Sequence, residues 1–270
     1  MTYICTRKTD LPTIKKPRLM KRLLISLLAV LLASTSLMAQ KVWERYAWEG
    51  TLNGKISIRL AIEVNDVGIV AGSICYYKAK NAKPILVVGD YNENAYIFLS
   101  EYLPDGTITG NISIQVKNGL PVGTWTNPKT EQEYKFQGMR KIAFPAGYGG
   151  KLTPENPGNI GQYYGYSIYN TVQKEYLGGH FNFRGAGKNK IHFEATNVPR
   201  NIAEGQSEQG RPAVLDGNHF VYSDVNECGY GFEVYFYPQF MVARNTTDFD
   251  TFDCFGMGAS LSGVYIKKKQ

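Results

Sequence analysis

One segment near the start of the chain alternates strictly between apolar and polar side chains, and no other feature constrains the fold as strongly. Residues 56–64, ISIRLAIEV, place Ile, Ile, Leu, Ile and Val at every second position. Successive side chains of a β-strand point to opposite faces of the sheet, so this period predicts a strand with one face buried and the other in water. Turn-forming residues follow at 65–68, and residues 69–77 predict a second strand.

Short strand patterns continue through the first half of the chain without an intervening helical period. The further predicted strands are residues 45–49, 84–88, 95–102, 107–116, 122–126 and 133–137. Turn sequences separate them at 92–94, 104–106 and 117–119. Evenly spaced strands of this kind favour an up-and-down meander, and closure into a barrel removes the exposed edges. A β-sandwich is the alternative.

The first half also contains an internal repeat. Residues 50–58, GTLNGKISI, match residues 106–114, GTITGNISI, at six of nine positions. Because a solenoid needs three or more repeats, a single pair of this length suggests duplicated hairpins instead.

The pattern changes after the first half. Gly and Pro dominate residues 143–162, which predicts a linker. Strand patterns resume at 163–169, 179–184, 190–196, 219–222, 231–237, 240–244 and 259–267. Residues 197–217 are polar and predict a long connection. The sequence therefore predicts an all-β protein with two small antiparallel β-barrel or β-sandwich domains, at 41–142 and 163–270.

The first 39 residues have the features of an export signal. A basic start at 20–22 precedes the apolar run 23–32, and small or polar residues lead to Ala39. This is the order of a secretory signal peptide, and we expect cleavage near Ala39. The apolar run is shorter than the roughly 20 residues of a membrane span, so we expect no stable span after cleavage, with a membrane anchor as the alternative. Residues 1–19 do not fit the signal, which suggests Met20 as the true start.

The net charge of +7 is concentrated in this leader. Residues 1–39 hold seven of the 30 Lys and Arg residues and one of the 23 Asp and Glu residues, which leaves 23 basic and 22 acidic residues and a net charge of +1. A nearly neutral exported protein gives no support to nucleic-acid binding. We therefore expect a secreted, periplasmic or outer-surface protein without a nucleic-acid partner.

Three cysteines remain after the leader, namely Cys75, Cys228 and Cys254. An oxidising compartment favours pairing of the last two, which both lie in the C-terminal part. The sequence thus predicts a Cys228–Cys254 disulfide. Cys75 is then left over, either as a small buried residue or as a reactive or intermolecular thiol.

A histidine cluster is conceivable in the second half. In a hairpin of residues 179–184 and 190–196, alternation places His180, His192 and Glu194 on one outer face. A metal site or a His–carboxylate pair could form there. Ordinary exposed side chains on a polar face are the alternative.

Motifs for catalysis or cofactor binding do not occur in the sequence. There is no G-x-S-x-G elbow, no H-E-x-x-H pair and no Cys–His nucleophile arrangement. Residues 185–188, GAGK, lack the ending and the helix of a phosphate loop. Asp248, Asp250 and Asp253 offer oxygens to calcium, but the glycine and closing glutamate of an EF-hand are missing, which favours a solvated loop. We assign no catalytic, cofactor-binding or metal-binding residue and favour a protein that is not an enzyme.

Aromatic residues make up 13% of the chain and occur side by side within predicted strands, at 76–77, 163–164 and 235–237. Alternation allows only one of two neighbours to point inward, so the other lies on the outside. Tyr and Trp serve well there as contact residues. A binding surface is one interpretation, and the strand propensity of Tyr is the other.

Several segments of residues 48–138 resemble a domain of uncharacterised secreted two-domain β proteins of Bacteroidota. They are WEGTLNGKISIRL, VAGSICYYK, LSEYLPDGTITGNISI and LPVGTW. Residues 253–259 and 263–267 resemble the end of a second exported domain, and Gly-Thr-Trp at 123–125 is shared loosely with avidin-like and lipocalin-like barrels. The resemblance implies export and β architecture, and it brings no catalytic residue.

Function follows from these features only as a hypothesis, because fold and export do not define an activity. We favour an exported, non-enzymatic binding module of the cell envelope or exterior, such as an inhibitor or a ligand-binding protein. A protein or a glycan is the expected partner. A secreted hydrolase acting on glycan or peptidoglycan is one alternative, and a surface structural or adhesive module is another. The oligomeric state is not predicted.

Overall fold

The computed structural model describes residues 41–92, 94–157, 163–170, 175–198, 202–208, 210–225, 228–246, 252–255 and 259–268. The leader, the cleavage point expected at Ala39 and the alternative start at Met20 lie outside these residues. Antiparallel strands form almost all the regular structure of the described part, which confirms the predicted all-β class.

Eight strands form a closed barrel in which each strand pairs antiparallel with the next. Strands β1 to β8 cover Val42–Leu52, Ile56–Asn65, Ile69–Cys75, Ile85–Tyr91, Tyr96–Tyr102, Ile108–Lys117, Leu120–Thr126 and Glu133–Lys141. The barrel closes where β8 pairs with β1 and Phe136 lies opposite Leu52. The predicted up-and-down meander is therefore confirmed, and the sandwich alternative is wrong for this half.

Inward-pointing side chains fill the barrel as a packed core. The largest fully buried one is Trp48, and its Nε1–H donates a hydrogen bond to the Gly119 carbonyl oxygen at 2.9 Å. The cluster also contains Ile58, Leu60, Ile62, Val87, Leu99 and Ile112. Burial of one such side chain contributes about 1.5–3 kcal/mol to stability. Alternation along each strand thus supplies an interior lined by apolar groups.

The outer face of β2 is covered, so the prediction that this face lies in water is wrong. Ala61 and Glu63 on that face are both 0% exposed. Residues 143–157, predicted as part of a linker, form no strand, and Tyr148 among them joins Ala47 and Ala61 in a small hydrophobic cluster on this side of the barrel. Glu63 is paired with Arg45 at 2.9 Å. The strand pattern alone could not show this cover, because the covering segment lies some 80 residues away in sequence.

The other strands of the described part form a second antiparallel sheet. Strands β9 to β17 cover Tyr163–Asn170, Glu175–Gly185, Lys190–Asn197, Ala203–Gln206, Ala213–Val214, His219–Val225, Tyr230–Phe236, Phe240–Asn245 and Gly263–Lys267. Their spatial order is β12, β11, β10, β9, β17, β16, β15 and β14, with β13 paired to β11. A helical turn, α1 (Phe252–Phe255), lies between β16 and β17 in the chain.

The long polar connection predicted at 197–217 contains two short strands, β12 and β13, that the sequence did not predict. These strands have four and two residues, which is too short for a period of two to stand out from a polar segment. The last strand begins at Gly263 instead of residue 259. Elsewhere in the second sheet the predicted strands are present, with ends that differ by a few residues.

An aromatic core lies on one face of the second sheet. Phe181 and Phe183 of β10 face Phe232 and Phe236 of β15 across this core, and all four are at most 2% exposed. Their ring centroids lie 5.2–5.9 Å apart between the two strands. Tilted and edge-on pairs at such distances add about 0.5–1.5 kcal/mol each to the gain from burial.

The barrel and the second sheet are joined by hydrophobic and polar contacts. Outward side chains of the barrel strand β3, such as Ile69, belong to one hydrophobic cluster with β15–β17. Asn65 Nδ2 donates to the Tyr237 hydroxyl at 3.0 Å, and Arg244 donates to the Val67 carbonyl oxygen at 2.7 Å. The boundary expected at residue 142 falls just after β8, and the division into two separate domains stays a prediction.

Candidate functional site

A cleft of about 630 Å³ opens where the loops of the barrel meet the second sheet. We call it the junction cleft. It is lined by residues 83–86, 102–104, 238–239 and 266–268. Ligand sites commonly have volumes of about 300–1,000 Å³ and lie where two units of a fold meet. Size and position therefore make it the leading candidate for a binding site.

Four chain segments position the lining. Residues 83–86 lead into β4, and 102–104 form the turn after β5, where the Leu103 N–H donates to the Thr107 carbonyl oxygen at 2.9 Å. On the opposite wall, residues 238–239 turn β15 into β16, and the Lys267 N–H of β17 donates to the Gln239 carbonyl oxygen at 2.9 Å. Backbone hydrogen bonds thus hold both walls in place.

The lining is mainly apolar. Ile85, Leu86 and Leu103 are half-buried, and the prolines at 84, 104 and 238 are exposed at the edge. Tyr102 and Ile266 are buried beneath them. Partly exposed apolar side chains gathered in a concave surface are typical of sites that bury the body of a ligand.

Lysines give the junction cleft a positive edge. Lys267 is neutralised by Glu155, since its Nζ lies 2.9 and 3.1 Å from the two carboxylate oxygens. Lys83 and Lys268 are exposed, and neither has an ion-pair partner within 4 Å in the described part of the chain. The cleft therefore carries uncompensated positive charge beside an apolar wall.

A second, more open groove of about 610 Å³ shares Tyr102 with the junction cleft. It is lined by residues of β4–β7 together with Ser260 and residues 262–264, and Phe98, Ser100 and Asn111 are among them. The Ser100 hydroxyl donates to Asn111 Oδ1 at 2.9 Å. Phe98 is 49% exposed, with its ring parallel to that of Tyr96 at 6.2 Å. These aromatic and amide groups would suit a polar ligand, but the groove is shallower than the junction cleft.

Glu101 is a buried acid inside the barrel that sequence reasoning did not single out. Its carboxylate accepts hydrogen bonds from the Tyr76 hydroxyl at 2.6 Å, the Trp125 Nε1–H at 2.6 Å and the Thr109 hydroxyl at 3.2 Å. A Cβ on Gly110, opposite Glu101, would lie 2.2 Å from Trp125 Nε1, so glycine leaves room for the indole. Burial raises the pKa of Glu101 above its ordinary value, although the three donors act against this.

The raised pKa of Glu101 predicts a change in the pH dependence of stability. The folded protein binds the proton of the Glu101 carboxyl group more tightly than the unfolded chain does. Protonated Glu101 therefore contributes fully to stability below its pKa in the unfolded chain, and this contribution is lost as the pH rises through its pKa in the folded protein. When urea denaturation is measured at a series of pH values across this range, Glu101→Gln should lack the part of the decline in unfolding free energy that ionisation of Glu101 causes. The exposed Glu133→Gln is the matched control and should keep the wild-type slope. Equal slopes for wild type and Glu101→Gln would contradict the assignment.

His180 and His192 lie on the same face of the sheet, as alternation predicts, but they do not come together in one cluster. In the β10–β11 register His192 lies opposite Arg184, and His180 lies opposite Thr196. His192 Nδ1 is 2.8 Å from the Ser207 hydroxyl. Glu194 pairs with Arg184 at 3.4 Å. His180 and Glu194 do line one shallow groove of about 440 Å³.

Metal binding gains no support from the other sequence candidates. Within the described residues there is no group of three or more His, Cys, Asp or Glu side chains placed to hold a metal ion. Asp248 and Asp250 lie outside the described residues, and Asp253 belongs to α1. The remaining histidine, His219, stacks on Tyr235 and lies 3.2 Å from a Glu233 oxygen.

The cysteines are arranged in a way that fits the predicted pairing. Cys228 and Cys254 form a disulfide with their Cα atoms 5.5 Å apart. Such a bond is compatible with an extracellular location. Cys75 is a free and buried cysteine, and it lies in the small cluster beneath Tyr148. The structure thus places Cys75 among packed side chains.

The aromatic run at 235–237 does not form an exposed surface, which corrects one prediction. Tyr235, Phe236 and Tyr237 are all at least 93% buried. Phe236 lies in the aromatic core, while its neighbours point to the outer face, which the barrel covers. Tyr76 and Tyr77 are half-buried, and the side chains of residues 163–164 lie outside the described part. Strand periodicity correctly requires two faces here but cannot show that both are covered.

Comparison with protein-family models, curated proteins and solved structures gave no match. No helix of the described part combines the length and apolar character that crossing a membrane requires. The assignment of a function therefore depends on the geometry of the clefts and on the sequence.

Proposed function

We propose that this chain is an exported binding protein that holds a small ligand in the junction cleft without transforming it. The observation that carries the proposal is the cleft itself, an apolar cavity of about 630 Å³ between two units whose backbones are already fixed by hydrogen bonds. A preformed apolar cavity lowers the ordering cost of binding.

The prediction of export has its own evidence, which is separate from the junction cleft. The leader has the order of a signal peptide, and the disulfide is compatible with an oxidising environment. Residues 83–86, 102–104, 238–239 and 266–268 include no acidic side chain or histidine that could act as a general base. The hydrolase and adhesive alternatives stay hypotheses, and no described side-chain cluster adds support to either.

Leu103→Trp tests this proposal by filling the cleft. Leu103 lines the cavity in a turn and is half-buried, so a larger side chain there should occupy ligand space without entering the barrel core. The neutral apolar dye Nile red should bind the wild-type protein saturably, with one site, and the variant about tenfold or more weaker. Fluorescence titration measures both affinities.

Val122→Trp is the matched control, because it adds the same side chain at an exposed position of β7 that does not line the cleft. It should bind the dye as the wild type does, and both variants should keep the wild-type circular dichroism spectrum. Equal binding by the wild type and Leu103→Trp would contradict the proposed site.

A further inference from the structure

We infer that the junction cleft is selective for free amphiphiles with a negatively charged head, such as long-chain alkyl carboxylates. The inference rests on the proposed function and adds the chemical class of the ligand. The alkyl chain would lie against Ile85, Leu86 and Leu103, and the carboxylate at Lys83 and Lys268.

The apolar wall defines the body of the ligand. Beyond the lysines, the neutral polar side chains of the lining are those of Gln239 and Tyr102, and Tyr102 is only 6% exposed. The many hydroxyl groups of a sugar would remain without protein partners against such a wall, which costs binding free energy. An alkyl chain needs no such partners and gains from burial.

The lysines define the head of the ligand. The carboxylate of Glu155 neutralises Lys267, while Lys83 and Lys268 have no acidic partner in the described part. Two ammonium groups at the edge of a low-dielectric wall favour an anion over a neutral or cationic head of equal size. Glu155 already shows a carboxylate bound by one of the three lysines of this cleft.

Competition with bound Nile red tests the head-group selectivity. Dodecanoate, dodecanol and dodecyltrimethylammonium are compared below their micelle concentrations, with the same chain length in each. Dodecanoate should displace the dye from the wild type at roughly five- to tenfold lower concentration than dodecanol, and the ammonium compound should be weakest. Raising the salt concentration should reduce the advantage of the carboxylate.

Lys83→Glu/Lys268→Glu should abolish the advantage of dodecanoate while Nile red still binds. Lys117→Glu/Lys135→Glu is the matched control, since it makes the same charge change at exposed barrel positions outside the cleft. It should keep the wild-type order of ligands. Loss of the order in the control would point to a general charge effect and overturn the inference.

The other outcomes distinguish failure of the head-group inference from failure of the proposed function. If dodecanoate and dodecanol compete equally in the wild type, the inference fails and the proposed function stands. If Nile red binding does not depend on Leu103, the proposed function fails, and the inference that rests on it fails as well. If the lysines matter only for binding to phosphatidylglycerol vesicles, and free dodecanoate does not compete, the positive edge faces a membrane surface and the inference is overturned.

Discussion

Phe232→Ala is expected to lower the free energy of unfolding by about 3–5 kcal/mol, because it leaves a large cavity in a core that cannot collapse around it. Phe232 is 0% exposed. Its ring centroid lies 5.2–6.4 Å from those of five other aromatic residues. These are Phe181, Phe193, Phe220, Tyr222 and Tyr230. Urea denaturation monitored by circular dichroism measures the change.

Val221→Ala is the control for this substitution. Val221 lies on the neighbouring strand β14, opposite Glu233, and is 53% exposed. Loss of its exposed methyl groups should change stability by about 0.5 kcal/mol or less. A loss below about 1 kcal/mol for Phe232→Ala would contradict the aromatic core. All three tryptophans lie in the barrel, so their fluorescence shows whether the barrel unfolds together with the second sheet.

Cys228→Ser/Cys254→Ser is expected to lower the free energy of unfolding by about 3 kcal/mol. The bond closes a loop of 26 residues, and its loss returns that entropy to the unfolded chain. The free α1 segment would also weaken the contact of Phe255 with Tyr230, whose rings are 4.7 Å apart. Chemical denaturation with and without a reductant measures the effect.

A reductant should destabilise the wild type to about the level of the double variant and leave the double variant unchanged. Cys75→Ala is the matched control, because Cys75 is unpaired in the structure. It should remain as sensitive to the reductant as the wild type. Equal stability of the wild type and the double variant would contradict a structural role of the bond.

The barrel could be predicted from local patterns because strand alternation and turn residues recur at short intervals. Residues 56–64 and 69–77 predict β2 and β3 almost to their ends, and the meander follows from the even spacing. The covering of the outer face of β2 by a distant segment could not be predicted from such local patterns. Nothing within β2 shows that Tyr148 and its neighbours lie over Ala61, or that Glu63 pairs with Arg45.

The internal repeat shows how two similar segments can adopt different structures. Asn53 and Gly54 form the turn between β1 and β2, with φ of +49° and +69°. Their counterparts, Thr109 and Gly110, lie within β6. The prediction of duplicated hairpins is therefore wrong. The two copies differ at the turn position itself, because Asn53 adopts a positive φ, whereas the β-branched Thr109 favours an extended strand.

The candidate site lay beyond sequence reasoning for a geometric reason. The junction cleft collects residues from four segments that span positions 83 to 268, and no segment carries a motif. The excess of aromatic residues suggested an exposed binding surface, yet Tyr235 and Tyr237 are at most 7% exposed, and Tyr237 is hydrogen-bonded to Asn65 of the barrel. The lysines at the end of the chain are evident in the sequence as a group of positive charges, but only the fold brings Lys267 and Lys268 beside Lys83 and an apolar wall.

A crystal structure of the protein grown with dodecanoate tests the junction cleft most directly. We expect an alkyl chain against Ile85, Leu86 and Leu103, with its carboxylate within about 4 Å of the Lys83 or Lys268 Nζ. The Leu103→Trp protein, crystallised in the same way, should show the cleft closed by the new side chain. Dodecanoate bound elsewhere, such as inside the barrel beside Glu101, with the junction cleft empty, would contradict the proposed site.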